Sequence, residues 1–289
     1  MSTTTLAAGT TPATTSAGRA ARPGVTFGRL VVAEWIKFRS LRSTWWTLAL
    51  AVLGMVGISL IFSIGVRSNA VTAEGDEGSM LGVLVIVFGY SAAQLALAVL
   101  GALSITGEYS TGMIRSTLTA APRRLPALWA KLLVLTVVTV VVSVVGLTLS
   151  YLVTLPLLSG TGVSLDFGDS ETVRAIAGVP LYLTAITLLA FAIGAIMRHS
   201  AGAITTTLGI MLVLPMVFSI LGVFFSWAAR VAAYLPTTAG EQIMSFGGMS
   251  GGGMVSDVSL APWAGIGLLG GYVVVLLAVA AVLMRRRDA

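Results

Sequence analysis

The sequence predicts an all-α polytopic membrane protein with six transmembrane helices and both termini in the cytoplasm. Three observations lead to this prediction: the apolar composition, six long apolar stretches, and an uneven distribution of basic residues among the connecting loops. Of the 289 residues, 56% are hydrophobic and 10% are charged, and the mean hydropathy is +0.98. Because soluble domains carry about 25% charged residues, a water-soluble fold of this composition could not cover its own surface.

The six apolar stretches each reach the roughly 20 residues that a helix needs to cross a bilayer core. They run over residues 45–66, 80–104, 128–158, 175–197, 201–226 and 262–284. The third is longer than a crossing requires, which predicts a tilted or projecting helix. Pro180 and Pro215 are expected to kink the fourth and fifth spans.

The charge distribution gives the orientation. With the N-terminus in the cytoplasm, 14 of the 17 basic residues lie inside, and 8 of the 11 acidic residues, Glu241 among them, lie outside. The excess of basic residues inside fixes this orientation by the positive-inside rule. The tryptophans lie near the span ends or in the segment before the first span, as an interfacial aromatic belt predicts.

The chain divides into two parts. Residues 1–26 are rich in Thr, Ala, Ser and Gly and are expected to form a disordered cytoplasmic tail. Residues 27–289 form the transmembrane domain, which begins with an interfacial helix over 27–43. At helical spacing an apolar side of this helix lies roughly opposite a polar side; the apolar side holds Phe27, Val31, Trp35 and Phe38, and the polar side holds Arg29, Lys37 and Ser40.

Several classes of chemistry are excluded by residue types. The chain has no cysteine and a single histidine, His199, so thiolate sites, disulfides and sites with several imidazoles are ruled out. His199 lies in a short turn with Arg198 and Ser200, which predicts a solvated loop rather than a catalytic group. Neither lysine follows a glycine, so no phosphate-binding loop of the Gly-Lys type is present. We therefore expect no enzyme activity, cofactor or metal on this chain, and no nucleic-acid partner.

The interiors of the six predicted spans contain no Asp, Glu, Lys, Arg or His. Ion-coupled carriers usually hold such residues part-way across the membrane. Gln94 is the most polar side chain deep in a span. Its side chain is expected to make an interhelical hydrogen bond, with contact to a transported substrate as the alternative.

The loop at residues 105–131 is the one substantial cytoplasmic connection between spans. Residues 111–118 have the length of about two helical turns, with Ile114 and Leu118 on one face. Pro122 and Pro126 end and redirect the helix. Two interpretations stay open: an amphipathic connector on the membrane surface, or a short helix that docks into a partner's groove.

Two motifs resemble those of a known family. The stretch EWIKFRSLRSTWWTL at 34–48 and the stretch ITGEYSTGMIRSTLTAAPRRLPALWAKLLV at 105–134 are similar to the membrane subunits of type-2 ABC exporters, as are YLPTTAGEQI at 234–243 and the six-span layout. The resemblance implies a permease that pairs with a separate cytoplasmic ATPase, which would hold ATP and Mg, and with a second permease copy or a related permease. It places the chain in the bacterial cytoplasmic membrane, in contact with lipids.

The resemblance also implies roles for particular segments. Residues 28–42 would be the connecting helix at the membrane surface, and the segment 108–118 would be the coupling helix in the ATPase cleft. The ATPase-coupling residues would be Glu34, Lys37, Arg39, Glu108, Tyr109, Gly112, Ile114, Arg115 and Leu118. Glu108 would pair with an arginine or cap the short helix, and Arg115 would bind the ATPase or a lipid headgroup.

In this family the second and fifth spans line the path. The candidate path residues are therefore Phe88, Tyr90, Gln94, Met211 and Phe218, which favour an amphipathic or hydrophobic cargo. The family also predicts short re-entrant or lid-like helices within the loop 227–262. Two other functions remain alternatives: an ion-driven secondary carrier, and a membrane scaffold or regulator that transports nothing.

Overall fold

The computed structural model describes residues 26–69, 75–113, 124–246 and 259–286. Within these residues the regular secondary structure is helical, and no β-strand occurs. Six helical stretches are long and apolar enough to cross a membrane. The predicted all-α fold with six spans is therefore confirmed, whereas the predicted tail lies outside the described residues except for Thr26.

The helices follow the predicted order along the chain. They are α1 (Phe27–Ser40), α2 (Arg42–Ser68), α3 (Asp76–Val87), α4 (Tyr90–Ser110), α5 (Arg124–Leu158), α6 (Ser170–Met197), α7 (Ser200–Leu208), a π-helical turn (Gly209–Val213), α8 (Leu214–Phe224), α9 (Ser226–Ala233), α10 (Pro236–Glu241), a 3₁₀ turn (Gln242–Met244) and α11 (Pro262–Arg286). The six spans are α2, α3 with α4, α5, α6, α7 with α8, and α11. Six crossings return the chain to the side on which it began.

Two spans are interrupted. The second breaks at Phe88 and Gly89 between α3 and α4, where the Gly89 backbone lies directly against the backbone of Met55. The fifth contains the π-helical turn, and Pro215 follows it in the first turn of α8; local π-helical adjustment is one way in which a spanning helix accommodates a proline. Pro180 lies inside α6 without ending that helix.

The core is built around the crossing of α4 and α6. Gly101 on α4 lies so close to the Thr187 carbonyl of α6 that a side chain there would overlap it. Such small residues allow two helix backbones to approach closely in membrane proteins. Nearby, the rings of Tyr90 and Tyr182 meet edge to face with centroids 5.4 Å apart.

Other helix faces are apolar and exposed. Helix α8 has no buried residue, and large side chains such as Met216 and Phe224 are more than half exposed. All six tryptophans are exposed as well, in agreement with an aromatic belt at the membrane interfaces. These faces are suited to contact lipid or a second subunit.

The close crossing of α4 and α6 yields a stability prediction. We expect Gly101→Ala to lower the free energy of unfolding by about 1–3 kcal/mol, because the added methyl group overpacks the crossing. The matched control is Gly57→Ala on α2, where the added methyl group meets open space and helix propensity improves. Thermal unfolding of both purified variants checks this, and equal effects would contradict the assigned crossing.

Candidate functional site

Four charged side chains from three helices meet at the end of the bundle where α1 lies. Glu34 and Lys37 come from α1, Glu108 from the last turn of α4, and Lys131 from α5; we call them the charge cluster. Lys131 Nζ donates to Glu34 Oε2 and to Glu108 Oε1, each at 2.6 Å. Lys37 Nζ donates to Glu108 Oε1 and lies 3.9 Å from Glu34 Oε1.

The charges alternate around a closed ring, so each has two neighbours of opposite sign. The side chains of Glu108, Lys131 and Glu34 are only 6%, 11% and 11% exposed, and that of Lys37 is 24% exposed. The ring sums to zero charge. Because a buried charge without a partner is costly, removal of one member of such a group typically costs about 3–5 kcal/mol.

Helix α1 presents two of its charged residues to the bundle. Glu34 and Lys37 are one turn apart and point inward, flanked by Val31 and Phe38, which pack on the core. Trp35 and Phe27 face outward. The predicted division into one apolar and one polar side is therefore wrong in detail, because the inward charges find partners on α4 and α5.

The cluster brings together some of the predicted coupling residues. Glu34, Lys37 and Glu108 meet, whereas Arg39 is exposed and its carbonyl accepts a hydrogen bond from Trp45. Sequence reasoning missed Lys131. A signal was available, since Lys37 and Lys131 are the only lysines among 17 basic residues, and both enter the ring.

In the described structure Glu108 forms ion pairs with two lysines. Its predicted pairing with an arginine and its predicted capping of the short helix stay predictions, because residues 114–123 lie outside the described residues. Its neighbour Tyr109 packs under the Arg198 guanidinium, 5.2 Å from the ring centroid. Arg198 has a positive φ of 57° in the turn between α6 and α7. The end of α4 therefore also contacts this turn.

The predicted solvated turn at 198–200 joins α6 to α7, and the His199 ring accepts a hydrogen bond from the Gly202 backbone N–H at 3.1 Å. His199 is thus a helix cap. After α4, Gly112 adopts a φ of +71°, a conformation that favours glycine. Ile114, Arg115 and Leu118 lie outside the described residues, so both interpretations of 111–118 remain predictions.

The structure gives the surroundings of the candidate path residues, whose role in transport stays a prediction. Tyr90, Gln94 and Met211 are buried. The rings of Phe88 and Tyr90 lie 6.3 Å apart, whereas Phe218 packs against Trp227 on α9 at 6.3 Å.

A second polar group lies within the bundle. The hydroxyl of Tyr182 donates to Gln94 Oε1 at 2.7 Å, which confirms the predicted interhelical bond of Gln94. The same hydroxyl lies 3.3 Å from Oε1 of Glu241, and Tyr90 also hydrogen-bonds that carboxyl. Glu241, at the end of α10, is 8% exposed.

The burial of Glu241 was not foreseen from the sequence, which placed it in an outer loop. Short helices are present in that loop, as predicted, and α10 carries Glu241 into contact with α4 and α6. Burial raises the pKa of the Glu241 carboxyl to about 7, although hydrogen bonds from Tyr90 and Tyr182 oppose the shift. No group of three or more metal-ligating side chains occurs in the part of the chain that the structure describes.

No match for this chain is found among protein-family models or among curated proteins.

Proposed function

We propose that this chain is the permease subunit of an ATP-driven type-2 ABC exporter. It would form the path for an amphipathic or hydrophobic cargo, and a separate cytoplasmic ATPase would bind ATP and Mg and supply the energy. The observation that carries the proposal is the charge cluster, which ties together the three elements around the loop at 105–131.

Mechanical coupling requires that a displacement of this loop reach the spans. Helix α4 ends at Ser110 and α5 begins at Arg124, so the loop joins these two helices directly. Glu108 and Lys131 lie near its two ends, on α4 and α5, and are paired at 2.6 Å. A partner that moves the loop would therefore move the ends of α4 and α5 together rather than separately.

Helix α1 extends this unit toward the membrane surface. Its ion pairs from Glu34 and Lys37 reach the same two helices, while Ile36 and Trp35 on its outward side are exposed. Exposed apolar side chains on a helix that precedes the first span suit the interface between lipid and water. Helix α1 would thus anchor the coupling unit at the cytoplasmic surface.

The partners follow from the same arrangement. The exposed apolar faces of α2 and α8 suit a second permease, either another copy or a related chain, together with membrane lipid. The bacterial cytoplasmic membrane is the expected location, with the basic ends of the chain inside.

An ion-driven carrier is the second candidate, and Glu241 is the observation that favours it. The spans carry no ionisable group in their interiors, yet α10 brings a carboxyl against Tyr182 and Gln94. Transport into vesicles that persists without ATP and collapses with an uncoupler would establish this alternative. Transport that requires ATP and survives the uncoupler would exclude it.

The exporter proposal predicts a specific effect of Glu108→Gln. The chain is co-expressed with any ABC ATPase encoded beside its gene, and the complex is reconstituted in vesicles. We expect ATP-dependent transport to fall at least about tenfold, a loss of about 1.4 kcal/mol of coupling, because Lys37 and Lys131 lose their shared carboxylate. The matched control is Glu77→Gln, an exposed carboxylate at the start of α3. Failure of the chain to associate with that ATPase would refute the proposal.

A mutant cycle separates loss of coupling from loss of folding. Glu108→Gln and Lys131→Met each leave an unbalanced buried charge, whereas the double variant keeps the neutral pair of Glu34 and Lys37. We expect the double variant to be more stable than the sum of the single effects by about 1–3 kcal/mol. Thermal unfolding of the four proteins measures this coupling, and strict additivity would show that the ring is not a unit.

The scaffold alternative is tested by combining Glu108→Gln with Arg115→Gln. Under the exporter proposal ATP-stimulated transport is abolished, because both the ring and a candidate ATPase contact are lost. A scaffold would show no transport in the wild type, and its assembly with membrane partners would be unchanged in the variant. Co-purification and vesicle transport, measured on the same preparations, distinguish the two.

A further inference from the structure

The Glu241 carboxyl shares the Tyr182 hydroxyl with Gln94. A tyrosine hydroxyl has one proton to donate, and that of Tyr182 goes to Gln94 Oε1 at 2.7 Å. The same hydroxyl is also within donor distance of Glu241 Oε1 at 3.3 Å, and its single proton cannot serve both acceptors at once. Both contacts are hydrogen bonds together only when Glu241 carries a proton of its own. The bonded chain therefore runs from Glu241 through Tyr182 to Gln94, and it is complete when Glu241 is a neutral acid.

In the part of the chain that the structure describes, no cation pairs with the Glu241 carboxyl. On α6, Arg174 is engaged with the Ser245 carbonyl at 2.5 Å. On α9, Arg230 is exposed, and on α11 the Tyr272 hydroxyl donates to the Tyr234 carbonyl at 3.0 Å.

The π-helical turn that also packs on α10 contains no titratable side chain. Among the described residues Glu241 forms no salt bridge, and its other titratable neighbours are Tyr90 and Tyr182. A buried carboxylate without a cation is costly by several kcal/mol.

The segment that carries Glu241 is docked on the bundle by close contacts. Gly265 of α11 lies directly against the Ala239 carbonyl, with no room for a side chain. Ile243 and Met244 are buried in the core, and the following residue, Ser245, accepts the hydrogen bond from Arg174. Residues 226–246 therefore form one docked unit, whose buried C-terminal part includes Glu241; we call it the docked segment.

We propose that Glu241 is a proton-binding site that latches the docked segment onto the bundle. With the proton bound, the carboxyl donates to Tyr182 and the segment is held. When the segment opens, the carboxyl reaches water, releases its proton to solvent and becomes a carboxylate, which then opposes re-docking. The latch does not depend on which energy source drives transport.

The sign of the pH dependence follows from linkage. Because the pKa of Glu241 is about 7 in the docked state, against 4.5 for an ordinary glutamate, docking is strongest below pH 4.5. It weakens as the pH rises through 7. Between these values the open fraction grows by up to about tenfold per pH unit.

The absence of cysteine from the chain allows a direct test. Thr237→Cys places a thiol at a buried position of the docked segment, where the threonine is 2% exposed. Ser159→Cys, at an exposed position after α5, corrects for the intrinsic pH dependence of thiol reactivity. Maleimide labelling rates are measured on both purified proteins in lipid nanodiscs, and the ratio of buried to exposed rate is followed with pH.

We expect the ratio to rise about tenfold or more between pH 5.5 and pH 7, given the linkage above. In Glu241→Gln the amide can donate to Tyr182 as the protonated acid does, so the ratio should stay low and flat. A ratio that is constant with pH in the wild type overturns the latch. So does an unchanged pH response in Glu241→Gln.

Tyr90→Phe provides a second variant that leaves Glu241 in place. The Tyr90 hydroxyl lowers the pKa of Glu241 through its hydrogen bond, so its removal should shift the labelling midpoint to higher pH. A merely structural role for Tyr90 would change the labelling ratio without moving the midpoint. An unchanged or lower midpoint would overturn the proposal even where Glu241→Gln does not fold.

Discussion

The alternating ring of Glu34, Lys37, Glu108 and Lys131 is the interaction on which the α1 end of the bundle depends. Apolar replacement of a buried ion pair is often neutral or stabilising, so such groups are weak sources of stability. Their effect here is to specify geometry. An apolar α1 could slide along the bundle by a turn at little cost, whereas the ring closes only when all four charges meet. Helix α1 therefore has one docking register on the ends of α4 and α5.

Helix α4 connects this ring to the second polar group. Gln94 and Glu108 lie on the same helix, separated by roughly 21 Å at 1.5 Å per residue. Between them, Gly101 forms the close crossing with the Thr187 carbonyl of α6. At this crossing the backbones of α4 and α6 are already in contact, so they cannot move closer without atomic overlap. A tilt of α4 imposed at Glu108 would therefore pivot at Gly101. The end of α4 that carries Gln94 would then move in the direction opposite to the end that carries Glu108.

The sequence predicts the spans well because a long apolar run leaves few alternatives. The run at 80–104 is nevertheless interrupted at Phe88 and Gly89, since the break depends on where Met55 of α2 lies. The sequence predicts only three of the four members of the charge cluster, without Lys131, for a similar reason. Glu34 and Lys131 are 97 residues apart, and no local pattern shows that a lysine near a span end points into the bundle.

Glu241 shows that hydropathy alone does not predict how deeply a side chain is buried in the bundle. The interiors of the predicted spans contain no ionisable residue. The short helix α10, which is not one of the spans, nevertheless brings the Glu241 carboxyl against Tyr182. The position of Glu241 also bears on whether a bound proton could drive transport or only hold the docked segment in place. A coupled carrier must expose its site to each side of the membrane in turn.

In the proposed latch, opening of the docked segment would expose Glu241 to one side. Toward the α1 end of the bundle the way is filled by the α4–α6 core, where Leu97, Ile105 and Phe191 are fully or almost fully buried. A proton that enters with the docked segment therefore leaves by the same route. The protonation of such a site determines whether the segment is docked, but it moves no net charge across the bundle. The geometry favours a latch over a proton-driven cycle, and it leaves the charge cluster as the place where external work would enter.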